Sequence, residues 1–336
     1  MDPISQATVG AAFAQSIAKK NNILKLGIIG FLSGLVPDLD VFIRSSTDPI
    51  LFLEYHRQFT HSFFFIPFGA LIIALVIFPL VKKSLNLKTV YLASFLGYAT
   101  HGLLDACTSY GTLLFWPFSN ERVTWNNISI VDPLFTIPLL ILVGTAIKTR
   151  KRLFSFFAIG WIIFYLSLGF VQYERTLSAA NELAFSRGHN PQRLTLKPSF
   201  GNLILWKSIY QHEGTFYVDA IRTVQSSTWC SGESIRIFDY QFHLPNLEKD
   251  SQQRKDIERF RWFSQDYLGF DKEKNLVTDV RYSMIPSQIA PMWGLLIDNQ
   301  RDINEHAIWW ISRGLEDRQL DLFKEMLSGE KCGSSS

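Results

Sequence analysis

Most of the side chains that could do chemistry in the first half of this 336-residue chain lie in three short clusters, each at the edge of an apolar stretch. In chain order, the clusters are Pro37–Asp40, His56–Ser62 and His101–Asp105. Together the clusters supply three histidines and three carboxylates. Such side chains are costly to bury without partners, and a shared metal ion is one partner that serves all of them. The six candidate metal ligands are Asp38, Asp40, His56, His61, His101 and Asp105.

The spacing within two clusters indicates how their side chains could converge. His101 and Asp105 are four residues apart, so on a helix they project from the same face, one turn apart. Pro37 disfavours helix at the residue before it, and we therefore expect an extended or turning chain that lets Asp38 and Asp40 approach one ion.

The cluster that contains His56 and His61, and the types of ligand atom in all three clusters, indicate how a metal could bind and which metal it would be. His56 and His61 are five residues apart, which is awkward for one helix face, so at least one is expected on the connection before a helix starting near Thr60. Mixed histidine and carboxylate ligation suits Zn, with Mn or Fe as alternatives, whereas oxygen-only sites suit Mg or Ca. Six candidates exceed the four ligands of a tetrahedral site. We therefore expect one to two divalent ions, with two bridged by a carboxylate favoured, and a metal-activated water as nucleophile.

Each cluster also has a simpler interpretation. A lone His-x-x-x-Asp pair can be a helix-surface hydrogen bond, and Asp-x-Asp beside a proline, like Thr60 or Ser62, can be a helix cap. Arg57 could pair structurally with Asp38 or Asp40, but we favour an anion-binding or transition-state role for it. The three clusters taken together favour the metal site.

Long apolar stretches indicate that residues 1–173 form an α-helical membrane domain of five to six transmembrane helices. A spanning helix needs about 20 mostly apolar residues. A shorter stretch, rich in Ala and Gly, is either a tightly packed sixth helix or an interfacial one. The candidate segments are 26–43, 63–81, 89–112, 128–147 and 153–172, with the shorter one at 4–18.

Basic residues are distributed unevenly among the connections, which predicts the orientation of the helices. One set of connections carries Lys19, Lys20, Lys25, Lys82, Lys83, Lys88, Lys148, Arg150, Lys151 and Arg152, and the alternate set carries only Arg44, Arg57 and Arg122. We therefore place the first set in the cytoplasm. All six candidate ligands then fall on the outer side, together with Asp132 near the start of segment 128–147. The C-terminal half lies on the same side.

Residues 174–328 read as a soluble α+β domain, for which we expect a role as a lid or substrate-recognition domain. They hold no nucleophile elbow, no Gly-rich phosphate loop and no His-Glu-x-x-His motif. Aromatic-rich runs predict strands, and two amphipathic patterns predict helices, the second with apolar Ile308, Ile311, Leu315 and Leu322. The strands are expected at 203–206, 215–218, 235–238, 275–284 and 292–297, the helices at 250–267 and 303–327, and a disordered tail at 329–336.

Composition excludes several classes of function. A formal net charge of +3 gives no reason to expect nucleic-acid binding. Cys107, Cys230 and Cys332 are odd in number and far apart, so neither a disulfide framework nor a cysteine zinc site is indicated. The N-terminus has no basic region followed by a small-residue cleavage site, so no cleaved signal peptide is expected.

The motifs resemble those of the bacterial inner-membrane metal-dependent hydrolase family, the YdjM-like, LexA-binding inner membrane-associated hydrolases. Beside the three clusters, the resemblance includes the opening Met-Asp-Pro and the Thr-Ser-Tyr-Gly-Thr that follows the third cluster. It covers most of the chain, including the longer members' C-terminal extension. The matching stretches are 1–3, 37–40, 56–62, 101–105, 108–112, 116–119, 130–133, 202–207 and 279–282.

The resemblance implies phosphoester hydrolysis, since the family is similar to zinc-dependent phospholipase C. It implies the same six metal ligands, with Asp132 as a further ligand or base. Some members carry a histidine shortly after the N-terminal Asp-Pro, where this chain reads Ser-Gln-Ala at 5–7. Gln6 or Asp2 is the available substitute there.

These observations predict a membrane-embedded metal-dependent hydrolase that cleaves a phosphoester, with lipids as one substrate class, at the outer face of the bacterial cytoplasmic membrane. Arg57 would stabilise developing charge, and Asp105 or Asp132 would manage protons. One alternative is a transporter, which predicts ionisable residues through the whole membrane depth rather than in the outer half. The other is a non-catalytic membrane protein with a structural metal.

Overall fold

The computed structural model describes residues 1–312, 314, 317–330 and 332–334. The chain divides into two compact units. The helical unit comprises Met1–Ile43, Tyr55–Val171 and Phe200–Leu203, and the sheet unit comprises Arg44–Glu54, Gln172–Ser199 and Ile204–Ser336. Each unit therefore includes a short segment from the half of the sequence that mainly forms the other unit. The composition alone does not reveal this.

Seven helices occupy the first 186 residues. Their first residues follow from local chemistry: at the start of the chain, Asp2 caps the first helix by accepting from the Ser5 amide, and Pro3 takes the first helical position. The helices are α1 (Pro3–Ser16), α2 (Ile23–Leu35), α3 (Leu51–Tyr55), α4 (Ile66–Val81), α5 (Leu87–Ala106), α6 (Pro133–Thr149) and α7 (Leu153–Ser186).

Glycines bring α1, α2 and α5 into close contact. A Cβ atom on Gly10 would lie 2.4 Å from the carbonyl oxygen of Gly30, and one on Gly97 would lie 2.5 Å from the same oxygen. Backbones can approach so closely only where side chains are absent. This contact matters for function because α2 leads into the Pro-Asp-Leu-Asp cluster and α5 carries the His-x-x-x-Asp pair.

Within the described residues, only two helical segments are long and apolar enough to cross a membrane, Lys20–Phe42 and Leu153–Ser186. A pair bent by 83°, Leu51–His61 with Ile66–Val81, makes a third if it counts as one span. The prediction of five to six transmembrane helices is not confirmed. With 16 residues, α4 is about 24 Å long, short of a hydrocarbon core of about 30 Å. The 20 residues of α5 are interrupted by polar side chains.

In its described residues, the sheet unit contains two antiparallel sheets and three further helices, together with most of α3 and the end of α7. One sheet has the order β1-β2-β3-β4-β10 with β5 also paired to β3, and the other has the order β6-β7-β8-β9. The helices are α8 (Tyr240–His243), α9 (Gln252–Phe263) and α10 (Asp317–Ser328). The strands are β1 (Arg193–Pro198), β2 (Leu205–His212), β3 (Thr215–Thr223), β4 (Ser227–Cys230), β5 (Ser234–Arg236), β6 (Leu268–Asp271), β7 (Leu276–Asp279), β8 (Trp293–Leu296), β9 (Ile308–Ile311) and β10 (Gly333–Ser334).

The helix predicted over 303–327 is wrong in its first half. Ile308 and Ile311, assigned to its apolar face, lie instead at the ends of β9, which pairs with β8. The run Ile-Trp-Trp-Ile consists of β-branched and aromatic residues that favour a strand when a partner edge is present. Leu322 does lie on α10, while Leu315 lies outside the described residues.

The end of the chain differs from the expected disordered tail. Cys230 and Cys332 form a disulfide across 102 residues of sequence, and Gly333–Ser334 pair with β4. Sequence spacing could not indicate this bond because it is the sheet that brings the two cysteines together. Residues 331, 335 and 336 of the predicted tail lie outside the described residues.

Two lysines face each other inside the first sheet. Lys197 on β1 lies directly opposite Lys207 on β2, and both are buried. The Lys207 ammonium donates to Ser283 Oγ and to the Gln288 carbonyl, each at 2.7 Å. Burial lowers the pKa of Lys207 to about 7 and that of Lys197 well below its usual range, because the interior disfavours the charged form.

We predict that these lysines make the free energy of unfolding depend on pH. Between pH 7 and 10.5 Lys207 is protonated in the unfolded chain and neutral in the folded one, so stability rises with pH across this range. Lys207→Met should flatten the rise in the unfolding midpoint measured by tryptophan fluorescence, leaving the contribution of Lys197. Lys249→Met, at an exposed position, is the matched control and should keep the wild-type slope. Identical slopes in all three proteins would contradict the prediction.

Candidate metal centre

The candidate ligands come from four short segments of the helical unit. A 3₁₀ turn over Val36–Phe42 continues α2 and carries Asp38 and Asp40. A second 3₁₀ turn, Phe59–His61, precedes α4 and ends on a buried histidine. His56 follows α3 in the same connection, as expected, and α5 carries the remaining pair near its C-terminal end.

Four ligand atoms converge at distances that suit one metal ion. His61 Nε2 lies 3.5 Å from Asp38 Oδ1 and 3.2 Å from Asp105 Oδ2, and His101 Nε2 lies 3.3 Å and 3.6 Å from the same two oxygens. Tetrahedral ligands with bonds of about 2.0–2.2 Å lie about 3.3–3.6 Å from one another. We call Asp38, His61, His101 and Asp105 the ligand cluster; its four atoms all lie within 4.8 Å of one another.

The ligand cluster is buried and its inward atoms lack hydrogen bonds. The side chains of His61, His101 and Asp105 are fully buried, whereas Asp38 is 26% exposed. Within the part of the chain that the structure describes, His61 Nε2, His101 Nε2 and Asp105 Oδ2 make no hydrogen bond of acceptable geometry. Buried polar atoms are normally satisfied. The arrangement therefore fits a cation that binds all three atoms.

Hydrogen bonds on the far side of each imidazole orient its Nε2 toward the cluster. His101 Nδ1 lies 2.6 Å from the Gly34 carbonyl oxygen, which can only accept, so this nitrogen carries the proton. His61 Nδ1 lies 2.9 Å from Thr60 Oγ1, and that hydroxyl donates to Asp40. In the neutral rings the lone pair is then on Nε2, as in most histidine ligands of metals.

Asp40 is not a member of the ligand cluster, and its carboxylate accepts hydrogen bonds from several residues around the cluster. Its Oδ2 accepts from the Arg57 amide at 2.9 Å and from Thr60 Oγ1 at 2.7 Å, and it lies 3.2 Å from His61 Nδ1. Its Oδ1 accepts from His56 Nδ1 at 2.7 Å. The sequence-based assignment of Asp40 as a direct ligand therefore competes with an orienting role, in which one carboxylate holds two histidines.

A second group of possible ligands overlaps the first. Asp38, Asp40 and His56 each offer an atom within 4.8 Å of the other two, and His56 packs edge-on against Tyr110. Asp38 belongs to both groups. This is the geometry in which one carboxylate could bridge two ions, although both oxygens of Asp40 already accept hydrogen bonds.

Arg57 lies beside the ligand cluster in a strained backbone conformation. Its φ is +64°, a left-handed value that costs a non-glycine residue about 1–2 kcal/mol. The guanidinium pairs with Asp105 Oδ2 at 3.1 Å through Nε and donates to Thr108 Oγ1 at 3.1 Å, and it lies 4.7 Å from the centre of the Tyr110 ring. Its side chain thus pairs with neither Asp38 nor Asp40, the two partners considered from sequence.

Asp132, predicted as a further ligand or base, has a different environment. It caps α6 by accepting from the amides of Leu134 and Phe135, and its other oxygen accepts from the Tyr165 hydroxyl at 2.8 Å. It belongs to neither group of possible ligands in the described chain. Its two oxygens are occupied in holding α6 and α7.

The N-terminal segment contributes contacts that sequence reasoning identified only in part. Gln6 Nε2 donates to Asp105 Oδ1 at 2.8 Å and to the His101 carbonyl at 3.3 Å, and the Met1 α-amino group also contacts Asp105 Oδ1. Gln6 thus orients a candidate ligand, while Asp2 caps α1. The roles of Thr60 and Thr108 were not assigned from sequence, although both lie within the quoted motifs.

A family model described as YdjM inner membrane protein matches residues 1–176, which include the whole ligand cluster. The match confirms the family inferred from the motifs over these residues, and the motifs quoted at 202–207 and 279–282 lie outside the matched region. A search of curated proteins finds no match, and neither does a search of solved structures.

We predict that Asp38 and Asp132 differ in their effect on metal binding. Asp38→Asn removes an anionic ligand shared by both groups and should lower the metal content of purified protein, measured by elemental mass spectrometry. Asp132→Asn is the isosteric match and should retain the metal while lowering the unfolding temperature, because the amide nitrogen that replaces one carboxylate oxygen cannot accept the hydrogen bond from the Tyr165 hydroxyl. Loss of metal from a folded Asp132→Asn protein would instead make Asp132 a ligand.

Proposed function

Because the chain belongs to the YdjM inner membrane protein family, we propose that it is a membrane-embedded, metal-dependent hydrolase that cleaves a phosphoester of a lipid. The observation that carries the proposal is the ligand cluster, in which two imidazole nitrogens and two carboxylate oxygens lie at tetrahedral ligand spacing in a chain with candidate membrane spans. Such a site is costly to build in apolar surroundings unless it holds a cation.

The donor set favours zinc, with manganese or iron as alternatives. Asp38, His61, His101 and Asp105 would hold one ion, and Asp38 with His56 and Asp40 would hold a second. When bound, such an ion supplies Lewis acidity and an acidified water. The second position is supported by the side chains of Asp38 and His56, which are 26% and 19% exposed and so are reachable by water and substrate.

Arg57 and Asp40 are the residues of this chain that we assign to support the reaction. The Arg57 guanidinium, fixed between Asp105 and Thr108, offers a planar set of donors suited to phosphate oxygens. Asp40 holds the orientation of His61 and His56. Asp105 is assigned to the metal, because its Oδ2 lies at ligand distance from both imidazoles and its Oδ1 accepts from Gln6.

We further propose that the protein is a multi-pass protein of the cytoplasmic membrane with its sheet unit outside the cytoplasm. The uneven distribution of basic residues supports this orientation. The disulfide between Cys230 and Cys332 supports it independently, since structural disulfides persist in oxidising compartments and are rare in the cytoplasm. The shorter helices α1, α4, α5 and α6 would then complete the membrane domain around the two to three long spans.

One observation favours a second candidate, a non-catalytic protein with a structural metal. Four protein ligands fill a tetrahedral zinc site, whereas catalytic zinc sites usually keep one position open. The partly exposed Asp38 and the overlapping second group argue for the hydrolase, because a closed structural site needs neither.

We predict that metal content and hydrolysis are lost together. Detergent-purified wild-type protein should carry about one to two ions of zinc per chain and should hydrolyse at least one member of a panel of lipid phosphoesters. His101→Gln should lose both properties. Asp40→Asn, which weakens the orientation of two histidines, should lower metal affinity by about 10–100-fold.

His212→Gln, a histidine substitution in the sheet unit, is the matched control and should leave metal content and turnover unchanged. Stoichiometric metal with no turnover on any phosphoester would contradict the hydrolase and favour the structural metal. Well under one ion per chain in the wild type, with no response to His101→Gln, would remove the metal site altogether.

A further inference from the structure

An apolar groove of about 250 Å³ lies in the helical unit, and two of its lining residues, Asp40 and Thr60, belong to the hydrogen-bond network of the candidate metal centre. Its walls come from the 3₁₀ turn after α2, from the start of α4 and from α5, and include Leu39, Phe65, Ile72 and Tyr98. Asp40, which orients two histidines of the site, is the acidic residue among those that line the groove in the described chain, and its side chain is fully buried. The groove therefore lies next to the polar centre, with the Asp40 carboxylate beneath its wall.

In the wall of the groove, Gly69 leaves space for the ring of Tyr98. A Cβ atom on Gly69 would lie 2.5 Å from the Tyr98 ring, so the absence of a side chain lets this ring pack against α4. The Tyr98 hydroxyl then donates to the Thr60 carbonyl at 2.8 Å, and the Thr60 hydroxyl donates to Asp40. One wall of the groove is thus connected by hydrogen bonds to the centre.

The outer edges of the groove are formed by exposed apolar side chains on candidate membrane spans. Leu39 is 56% exposed and Ile72 is 57% exposed. Leu39 lies in the candidate span Lys20–Phe42, and Ile72 lies in the bent pair that ends at Val81. In a bilayer the neighbours of such side chains are acyl chains, which are the natural occupants of an apolar groove between two spans.

We propose that this groove binds an acyl chain of the substrate, so that a membrane lipid enters sideways from the bilayer and presents its phosphoester to the metal centre. This inference rests on the proposed hydrolase activity and specifies its substrate class as a long-chain lipid. The apolar walls bind the chain without regard to headgroup, whereas Asp40 and the residues it orients lie at the polar end. Specificity for the headgroup is then set by the metal centre and Arg57, and preference for chain length by the groove.

The test fills the groove without touching the candidate ligands. Ile72→Phe and Ile72→Trp should lower the ratio of kcat/KM for a long-chain diacyl phosphoester to kcat/KM for its short-chain, water-soluble analogue. About tenfold is expected for Ile72→Trp, the loss of roughly two buried methylenes. Val76→Trp, on the same helix but 70% exposed and outside the groove, is the matched control and should keep the wild-type ratio.

A readout independent of turnover separates this inference from the proposed function. A lipid with a photoreactive group on its acyl chain should label groove peptides of the wild type and of Val76→Trp more than those of Ile72→Trp, with equal metal content in all three proteins. Groove labelling without any phosphoester turnover would contradict the hydrolase while supporting the groove. Turnover with an unchanged chain-length ratio, and equal labelling of all lipid-facing peptides, would overturn the groove and leave the hydrolase standing.

Discussion

The candidate site concentrates two carboxylates and two imidazole Nε2 atoms in a small, largely buried space, an arrangement of charge that a bound cation would relieve. Asp105 is fully buried and Asp38 is 26% exposed, and each has an oxygen within 3.6 Å of the Nε2 atoms of two histidines. Arg57 offsets part of this charge. The surrounding helices, turns and hydrogen bonds can be understood as the support that holds these atoms together against their cost of desolvation.

That support has two layers, one made by backbone contacts and one by side chains. Glycine contacts bring α2 and α5 together, with Gly30 and Gly97 nearly touching, and so bring the 3₁₀ turn after α2 beside a face of α5. Asp40 then fixes the connection that follows, since it accepts hydrogen bonds from His56, Arg57 and Thr60. Asp40 is also one of the residues that line the apolar groove, so the same residue borders both the ligand cluster and the groove.

Several features of the candidate site could be predicted because they depend on local spacing. The pair His101 and Asp105 shares a helix face at any position in a fold, and His56 lies in the connection before α4, as its spacing from His61 indicated. The effect expected of Pro37 is not observed, because Val36 keeps helical dihedral angles and Val36–Phe42 continues α2 as a 3₁₀ helix. The role of each carboxylate, whether as candidate ligand, orienting group or helix cap, could not be predicted. Asp40 and Asp132 carry the same functional group, yet one orients histidines and the other caps α6, because each carboxylate takes the donors that distant segments place near it.

The sequence by itself determined the apolar helices, the three ligand-bearing clusters and the family, since these follow from composition, periodicity and motif. Tertiary structure decided which clusters share one centre, that Cys230 and Cys332 meet, and that the run at Ile308–Ile311 is a strand rather than a helix. The physical reason is common to all three. Each outcome depends on a partner remote in sequence, and neither spacing nor the local preference of a segment identifies that partner.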